Sequence, residues 1–479
     1  MNRRDFIRTI LAGASLAALP RNLWSADPAP VKRPNIVFVV ADDMGWRDTG
    51  YQGSPNIKTP CLDALVANGV RFDYFYAAQQ MCSPGRFGIL TGRAPFRSGV
   101  YRLNPIRPQE ITIAQTLKAA GYSTGHFGKW HLGDRETLPI RMGFERSIYS
   151  GNYYDNGATL LVDNTKEKVQ LPKDQDSSVA TMDLALEWMK PQAQTGKPFF
   201  AYVCFGSPHG GFVGAEEFKK LYPGVVKNDY FAEVSGLDAA VGKLRATLRE
   251  WKVADDTLIW FVSDNGGCGG ETVEPNRLQK MNIGCRTAGC LEWPARFPKP
   301  IRTSIPAVHM DMYPTALAAA GVALPDPRPM DGMDILPLLD GKVKEREKPI
   351  GFMLWHGEKS PAGTRLGTID FVKGTQGVWI DGSLKLVVAQ AGMETIKDRH
   401  RERTNRPGLY DIHADPRDGK YLSAAMPDWA AAMRAALDRW RQSVSGSRSS
   451  TVTCRATFRV WNTCCGTAPG PPLLWSDCP

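Results

Sequence analysis

The sequence lacks a long hydrophobic run, a basic stretch and the paired cysteines of a zinc site. Its one candidate membrane segment, Thr9 to Leu19, is shorter than the roughly 20 residues that a membrane-spanning helix needs. The formal net charge is +10, but half of this excess lies in residues 1–26 and 443–479, and no run of basic residues stands elsewhere. We therefore expect neither stable membrane insertion nor a nucleic-acid partner.

The N-terminus is typical of an exported protein. Arg3 and Arg4 precede the short apolar run, which indicates a twin-arginine signal peptide over residues 1–26 and an interaction with the Tat export machinery. The mature protein is then expected in the periplasm or outside the cell. A basic N-terminal helix is the alternative interpretation.

The ten cysteines form no C-x-x-C pair of the kind that binds structural zinc. Export would permit disulfides, because exported proteins mature in oxidising surroundings. Cys268, Cys285 and Cys290 lie close enough in sequence for one disulfide. The spacing leaves open which pair forms, if any.

Several short apolar runs end at polar residues, and the continuously apolar ones are typical of strands buried on both faces, whereas Tyr122–Phe127 is a weaker run. Ligand sites of open α/β sheets lie beyond the carboxyl ends of the strands, so these polar residues are candidate site residues. The runs and the residues that follow them are Ile36–Ala41 with Asp42 and Asp43, Tyr122–Phe127 with Lys129 and His131, Phe199–Phe205 with His209, and Thr257–Ser263 with Asp264 and Asn265.

Helical patterns alternate with these runs, over Thr112–Ala120 and Tyr230–Trp251. The alternation predicts a doubly wound α/β fold, with a large sheet flanked by helices. We place this N-terminal catalytic domain at residues 30–345.

A smaller α+β subdomain is expected over residues 346–444. It contains a hairpin around Asp381 and Gly382 and an amphipathic helix over Trp429–Val444. Residues 445–479 have no periodicity and four cysteines, which indicates an irregular, disordered tail. An out-of-frame C-terminus is the alternative for this segment.

Asp42, Asp43, Asp264 and Asn265 offer hard oxygen ligands from two strand ends. Such a set favours Ca²⁺ or Mg²⁺ over zinc. Taken alone, either pair is more typical of a turn or a helix N-cap than of a metal site.

The stretch from Cys82 to Arg93 reads CSPGRFGILTGR. Pro84 suits the first turn of a helix, so Cys82 is expected at a helix start, where unpaired N–H groups and the helix dipole favour an anion. Arg86 would lie about one turn further on, where its guanidinium offers several donors in a rigid fork. A buried cysteine at the start of an ordinary helix is the alternative.

This stretch fits C-x-P-x-R followed by L-T-G, and it resembles the signature of the type I, formylglycine-dependent sulfatases of the alkaline phosphatase-like superfamily. The resemblance implies a large mixed sheet with a smaller C-terminal subdomain. It also implies that a maturation enzyme oxidises Cys82 to formylglycine, whose hydrated aldehyde attacks sulfur. Asp42, Asp43, Asp264 and Asn265 would surround a divalent cation together with residue 82, most often calcium, with magnesium as the alternative.

The string from Gly128 to Gly133 resembles a second motif of the same family. The resemblance implies that His131 acts as a base on the formylglycine hydrate and that Lys129 contacts the nucleophile and the sulfate. Arg86, as a fixed cation, would hold the nucleophile or an oxyanion. His209 would protonate the leaving alcohol. Lys280 is the best candidate for a sulfate-binding lysine, although its spacing to Arg286 is shorter than the family pattern and a glutamate of that pattern is absent.

The sequence thus predicts an exported sulfatase that hydrolyses a sulfate ester, on a sulfated small molecule or a glycan. One alternative is a phosphoester or phosphonate hydrolase of the same superfamily. Another is a non-catalytic relative that binds a sulfated glycan. The substrate and the position of its sulfate are not determined by the sequence.

Overall fold

The secondary structure follows the alternation of strands and helices that the sequence predicts. The computed structural model describes residues 33–100, 104–153, 156–226, 228–267, 285–354, 375–389, 407–415 and 420–449. The strands within these residues are β1 (Asn35–Ala41), β2 (Val70–Phe72), β3 (Phe75–Tyr76), β4 (Ser123–Lys129), β5 (Arg146–Ser150), β6 (Thr159–Val162), β7 (Lys168–Gln170), β8 (Phe199–Cys204), β9 (Thr257–Ser263), β10 (Arg286–Thr287), β11 (Gly289–Glu292), β12 (Ile301–Thr303), β13 (Ala307–Val308), β14 (Ile350–Leu354), β15 (Gln376–Asp381), β16 (Leu384–Val388) and β17 (Gly408–Asp411).

Helices of very different length connect these strands. The α-helices within the described residues are α1 (Pro60–Ala67), α2 (Cys82–Thr91), α3 (Pro95–Ser98), α4 (Ile113–Ala119), α5 (Ser177–Thr195), α6 (Glu216–Lys219), α7 (Asn228–Glu250), α8 (His309–Ala320), α9 (Leu336–Leu339) and α10 (Pro427–Ser449). Short 3₁₀ helices cover Gly50–Gln52, Arg135–Thr137 and Pro139–Met142.

A ten-stranded sheet in the order β12-β2-β11-β9-β1-β8-β4-β5-β6-β7 forms the framework. Strand β1 lies at its centre and pairs in parallel with both β8 and β9. Strand β11 is antiparallel to β9 and to β2, so the sheet is mixed. This arrangement confirms the predicted fold class.

The central strand is apolar at every position from Ile36 to Ala41 because both faces of the sheet are covered. Ile36, Phe38 and Val40 belong to one hydrophobic cluster, which also contains residues of α4 and α8. Val37 and Val39 belong to a second cluster, which contains residues of α5 and α7. Burial of each such aliphatic or aromatic side chain stabilises the fold by about 1.5–3 kcal/mol. Successive side chains that point into opposite clusters therefore hold the strand between two helical layers.

A separate antiparallel sheet, in the order β14-β15-β16-β17, follows the predicted boundary near residue 345. Strands β15 and β16 form the predicted hairpin around Gly382. Helix α10 packs on this sheet, with the rings of Trp379 and Trp440 6.0 Å apart. The small sheet also shares a hydrophobic cluster with the rest of the chain, in which Tyr76 and Phe352 make contact.

Helix α10 differs from its prediction. It begins at Pro427 rather than Trp429 and ends at Ser449 rather than Val444, so it includes the first residues of the segment that was predicted to be irregular. Contacts with α3 explain the longer helix, because Arg97 Nη1 donates to the Ser443 carbonyl at 3.1 Å and to Ser447 Oγ at 2.9 Å. Residues 450–479 lie outside the described residues.

Other sequence predictions concern membrane insertion, export and disulfides. No helix in the described part of the chain has the length and apolar character to cross a membrane. The predicted signal peptide, residues 1–26, lies outside the described residues. Cys285 and Cys290 are both free thiols, so these two do not form the suggested disulfide, and Cys268 lies outside the described residues.

Candidate active site

The candidate metal ligands meet because their strands run in parallel. Ala41, the last residue of β1, pairs with Ser263, the last residue of β9. The chain then leaves both strands side by side, and the backbone N–H of Asp43 donates to Asp264 Oδ1 at 3.1 Å. All four predicted ligands, Asp42, Asp43, Asp264 and Asn265, are buried at this point.

Helix α2 begins at Cys82, as predicted, and packs against the end of β9. Close approach requires glycine at position 85, because a Cβ atom there would lie 1.9 Å from the carbonyl oxygen of Asp264. The Cys82 thiol lies 3.3 Å from Asp42 Oδ1 and 3.8 Å from Asp43 Oδ1. The nucleophile precursor of the predicted chemistry therefore faces the carboxylates.

Arg86 and Lys129 supply the positive charges of the site. Arg86 lies one turn after Cys82 and donates to Asp264 Oδ2 from Nε at 2.9 Å, with Nη2 at 2.8 Å from the same oxygen. Lys129, the last residue of β4, donates from Nζ to Asp42 Oδ2. Both cations are fully buried, so their charges are little screened by water.

The carboxylates of the site have unlike pKa values. Burial raises the pKa of Asp42, but Lys129 and other nearby positive charges outweigh it and hold the pKa at about 2. Burial and the Asp42 charge raise the pKa of Asp264 to about 7, against the opposing effect of Arg86. Three carboxylates with only two permanent cations leave an excess of negative charge that a bound cation would balance.

The residues fit a divalent cation. Ligand atoms of Asp42, Asp43, Asp264 and Cys82 all lie within 4.8 Å of one another. Asn265 donates from Nδ2 to the Gly266 carbonyl at 3.0 Å, while its Oδ1 is buried and has no hydrogen-bond partner among the described residues. A buried acceptor without a donor costs free energy, and a cation would satisfy it. Oxygen donors of this kind favour calcium or magnesium.

Cys82 itself is a poor nucleophile in this position. Burial raises the pKa of its thiol well above the ordinary value, and the charges of Asp264 and Asp42 raise it further. Thiols react as thiolates, so unmodified Cys82 would remain protonated and unreactive at neutral pH. The environment is unsuited to a cysteine nucleophile and compatible with chemical conversion of the side chain.

His131 lies beside the start of α2. The hydroxyl of Ser83, which the sequence analysis did not single out, donates to the His131 carbonyl at 2.6 Å and ties the two segments together. His131 has a φ of 54° and Asp43 a φ of 63°, and non-glycine residues seldom adopt these left-handed values outside constrained sites. Burial and then Lys129 lower the pKa of His131 well below its ordinary value, so the ring is neutral.

His209 lies at the more open side of the cluster, with 25% of its side chain exposed. Its Nδ1 donates to the Gly210 carbonyl at 3.1 Å, and its Nε2 lies 3.6 Å from Asp43 Oδ2. The second nitrogen therefore faces the site, on a side chain that solvent partly reaches. This is a suitable position for a group that exchanges a proton with a leaving alcohol.

The structure thus brings together all but one of the predicted site residues. Lys280 lies in residues 268–284, outside the described residues, and its role stays a prediction. Arg286 is described and lies between two aromatic rings, 3.7 Å from the ring centre of Trp46 and 4.5 Å from that of Tyr74. No local sequence signal indicated that contact.

Comparison with known proteins identifies one family at the level of sequence and a shared fold at the level of structure. The family described as Sulfatase matches residues 34–322, more than half of the chain. N-acetylgalactosamine-6-sulfatase of Sus scrofa is 34% identical over 354 residues, 65% of this chain and 67% of that protein. Arylsulfatase A of Homo sapiens is 31% identical over 378 residues, 70% of this chain and 73% of that protein.

Among solved structures, Ps i-CgsB in complex with k-i-k-neocarrahexaose has a similar fold. The TM-score is 0.73 at 23% sequence identity, covering 86% of this chain and 93% of that chain. The shared architecture agrees with the large mixed sheet and the smaller antiparallel sheet that the sequence analysis expects. This chain therefore belongs to the sulfatase family and is a sulfuric ester hydrolase.

Proposed function

We propose that the protein is an exported sulfatase that releases inorganic sulfate from a sulfated carbohydrate, with formylglycine at position 82 and a calcium ion. One observation carries the proposal: Cys82 opens a helix directly against three buried carboxylates, with Arg86 and Lys129 beside them. Sulfatases generally use a formylglycine formed from this cysteine and a metal ion. A sugar as leaving group is supported by the relative that is named as an N-acetylgalactosamine-6-sulfatase.

Asp42, Asp43, Asp264 and Asn265 would hold the cation. When bound, the cation supplies positive charge that polarises the sulfate oxygens. When formed, formylglycine supplies the oxygen nucleophile as its hydrated aldehyde. The overall reaction consumes one water and yields one alcohol and one sulfate.

The remaining side chains position charge and move protons. Lys129 and Arg86 surround Asp42 and keep positive charge beside residue 82, where a sulfate oxyanion is stabilised. His131 is neutral, and its buried Nδ1 has no partner among the described residues, so this nitrogen is available to accept a proton. His209, with Nε2 towards Asp43, donates a proton to the oxygen of the leaving alcohol.

Sulfate and phosphate release from matched aryl esters test the proposal. The matured wild type should hydrolyse the aryl sulfate faster than the aryl phosphate or phosphonate, and Cys82→Ala should abolish the activity while the protein stays folded. Cys61→Ala is the matched control, because Cys61 is another free thiol that lies outside the site. Retained turnover in Cys82→Ala contradicts the assigned nucleophile, and faster phosphoester hydrolysis by the wild type contradicts the sulfate specificity. If the wild type hydrolyses neither ester, the protein is the non-catalytic relative that binds a sulfated glycan.

The proposal includes export through the Tat machinery to the periplasm or beyond, which is supported by Arg3 and Arg4 before the short apolar run. That route transports folded proteins, so a cytoplasmic maturation enzyme would act on Cys82 first. Replacing both arginines by lysine should leave the protein in the cytoplasm. Unchanged export of that variant in cell fractions would contradict this part of the proposal.

A further inference from the structure

A second cationic site lies at the same edge of the large sheet as the catalytic carboxylates. Strands β2 and β12 run parallel to each other, and β2 is separated from β9 by the antiparallel β11. The carboxyl ends of β1, β9, β2 and β12 therefore point to one edge. Asp264 follows β9 and Asp73 follows β2, two strand spacings or about 10 Å further along the sheet.

A cavity of about 350 Å³ lies at this position. Three arginines, Arg71, Arg286 and Arg302, line it together with Trp46 and Tyr74. The volume is within the range of about 300–1,000 Å³ that small-ligand sites occupy. Arginine guanidinium groups recognise sulfate and carboxylate groups with two parallel hydrogen bonds, so the lining indicates an oxyanion ligand.

The arginines are held in place before any ligand binds. Arg286 is stacked between the rings of Trp46 and Tyr74, and its Nη2 donates to the Asp73 carbonyl at 2.8 Å. Arg71 Nε and Arg302 Nε each donate to the Asp73 carboxylate at 2.9 Å. A preorganised cation loses little side-chain entropy when it binds a ligand.

The cavity lining contains one carboxylate, that of Asp73, and three guanidinium groups, so the cavity keeps an excess positive charge. Among the described residues, Arg302 donates through Nε alone, and 68% of its side chain is exposed. Its two Nη groups are therefore available to a ligand from solvent. Asp73 orients the arginines without neutralising them.

The cavity and the catalytic site also share a loop. Trp46 follows Asp43 by three residues. The backbone N–H of Met44, between them, donates to Ser263 Oγ at 2.8 Å and fixes the loop on the end of β9. A ligand that occupies both places would lie along one edge of one sheet.

We propose that this cavity binds a second sulfate or carboxylate group of the oligosaccharide whose sulfate ester lies at the catalytic site. The inference rests on the proposed sulfatase function and narrows the substrate to a glycan with at least two anionic groups, long enough to span about 10 Å along the sheet edge. Free inorganic sulfate has the same oxyanion chemistry, so the experiment distinguishes the two sources.

The test compares a one-charge substrate with longer polyanions. The matured enzyme hydrolyses 4-nitrophenyl sulfate, and a panel of multiply sulfated tetrasaccharides with galactosamine, glucosamine and galactose backbones is assayed for competitive inhibition. Arg302→Gln and Arg71→Gln should each weaken inhibition by the best tetrasaccharide about tenfold, as expected for one lost charge-assisted hydrogen bond, and leave kcat/KM for the aryl sulfate unchanged. Arg434→Gln is the matched control, because Arg434 is an exposed arginine paired with Asp438 outside the cavity.

Each of the next four results overturns the inference. Unchanged inhibition in both variants, no inhibition by any tetrasaccharide, or an equal loss in Arg434→Gln shows that the cavity does not bind the glycan. If the two variants weaken inhibition by inorganic sulfate but not by the tetrasaccharides, the cavity binds free sulfate rather than the glycan. A wild type that does not hydrolyse 4-nitrophenyl sulfate is a failure of the proposed sulfatase function, which this design separates from a failure of the second site.

Discussion

Substitution of Gly85 is the sharpest test of how the site is assembled. A Cβ atom at this position would lie 1.9 Å from the Asp264 carbonyl oxygen, whereas ordinary contacts begin near 3.4 Å. Gly85→Ala therefore moves α2 from the end of β9 by about 1.5 Å, the difference between these distances. Because Cys82 and Arg86 lie on α2 and Asp264 follows β9, the movement separates the nucleophile precursor from the metal ligands.

The expected magnitudes follow from this displacement. A misplacement of about 1 Å can cost roughly 10²-fold in rate, and overpacking of a tight contact costs about 1–3 kcal/mol of folding free energy. For Gly85→Ala we expect kcat/KM for an aryl sulfate to fall about 100-fold, and the free energy of unfolding in urea to fall by about 1–3 kcal/mol.

Gly446→Ala is the matched control for this substitution. Gly446 lies in helix α10 with no atom within 4 Å of an added Cβ. Alanine favours a helix over glycine by about 0.5–1 kcal/mol, so this variant should keep full activity and equal or greater stability. A Gly85→Ala enzyme with wild-type kcat/KM and stability would refute the close contact between α2 and β9.

Three further predictions concern proton donation, stability and the metal. His209→Ala should slow hydrolysis of an alkyl sulfate by about 10²–10⁴-fold. Hydrolysis of an activated aryl sulfate should slow far less, because a good leaving group needs no proton. Equal losses for the two esters contradict the proton-donor role. Asp331→Asn should lower the free energy of unfolding by about 3–5 kcal/mol, because it removes the negative charge that lies 2.7 Å from buried Arg97, and an unchanged urea curve contradicts this. Chelation should abolish sulfate release and lower the melting temperature, with calcium restoring both; full activity without metal contradicts a cation at Asp264 and Asn265.

Much of the site was predictable because its residues follow continuous apolar runs. A strand buried on both faces needs an apolar residue at nearly every position, and β9 has the predicted bounds, Thr257–Ser263. The polar residues at the ends of β1 and β9 meet because parallel strands end at one edge. The helix start at Cys82 followed from Pro84 in the first turn.

Other features depend on contacts that no local pattern carries. Strands β3, β10 and β13 have two residues each, too few for a period. The cavity arginines, Arg71, Arg286 and Arg302, come from separate segments and converge only on Asp73. The end of α10 depends on Arg97, which is distant in sequence.

The mass of the tryptic peptide Phe72–Arg86 tests the central claim most directly, because this peptide contains position 82. The protein should be purified from its native host or from cells that also produce a formylglycine-generating enzyme. We predict that the peptide has the mass expected for formylglycine in place of cysteine. The fraction of the peptide that is converted should rise in proportion to the rate of sulfate release. Unmodified cysteine in a preparation that releases sulfate at full rate would contradict the account.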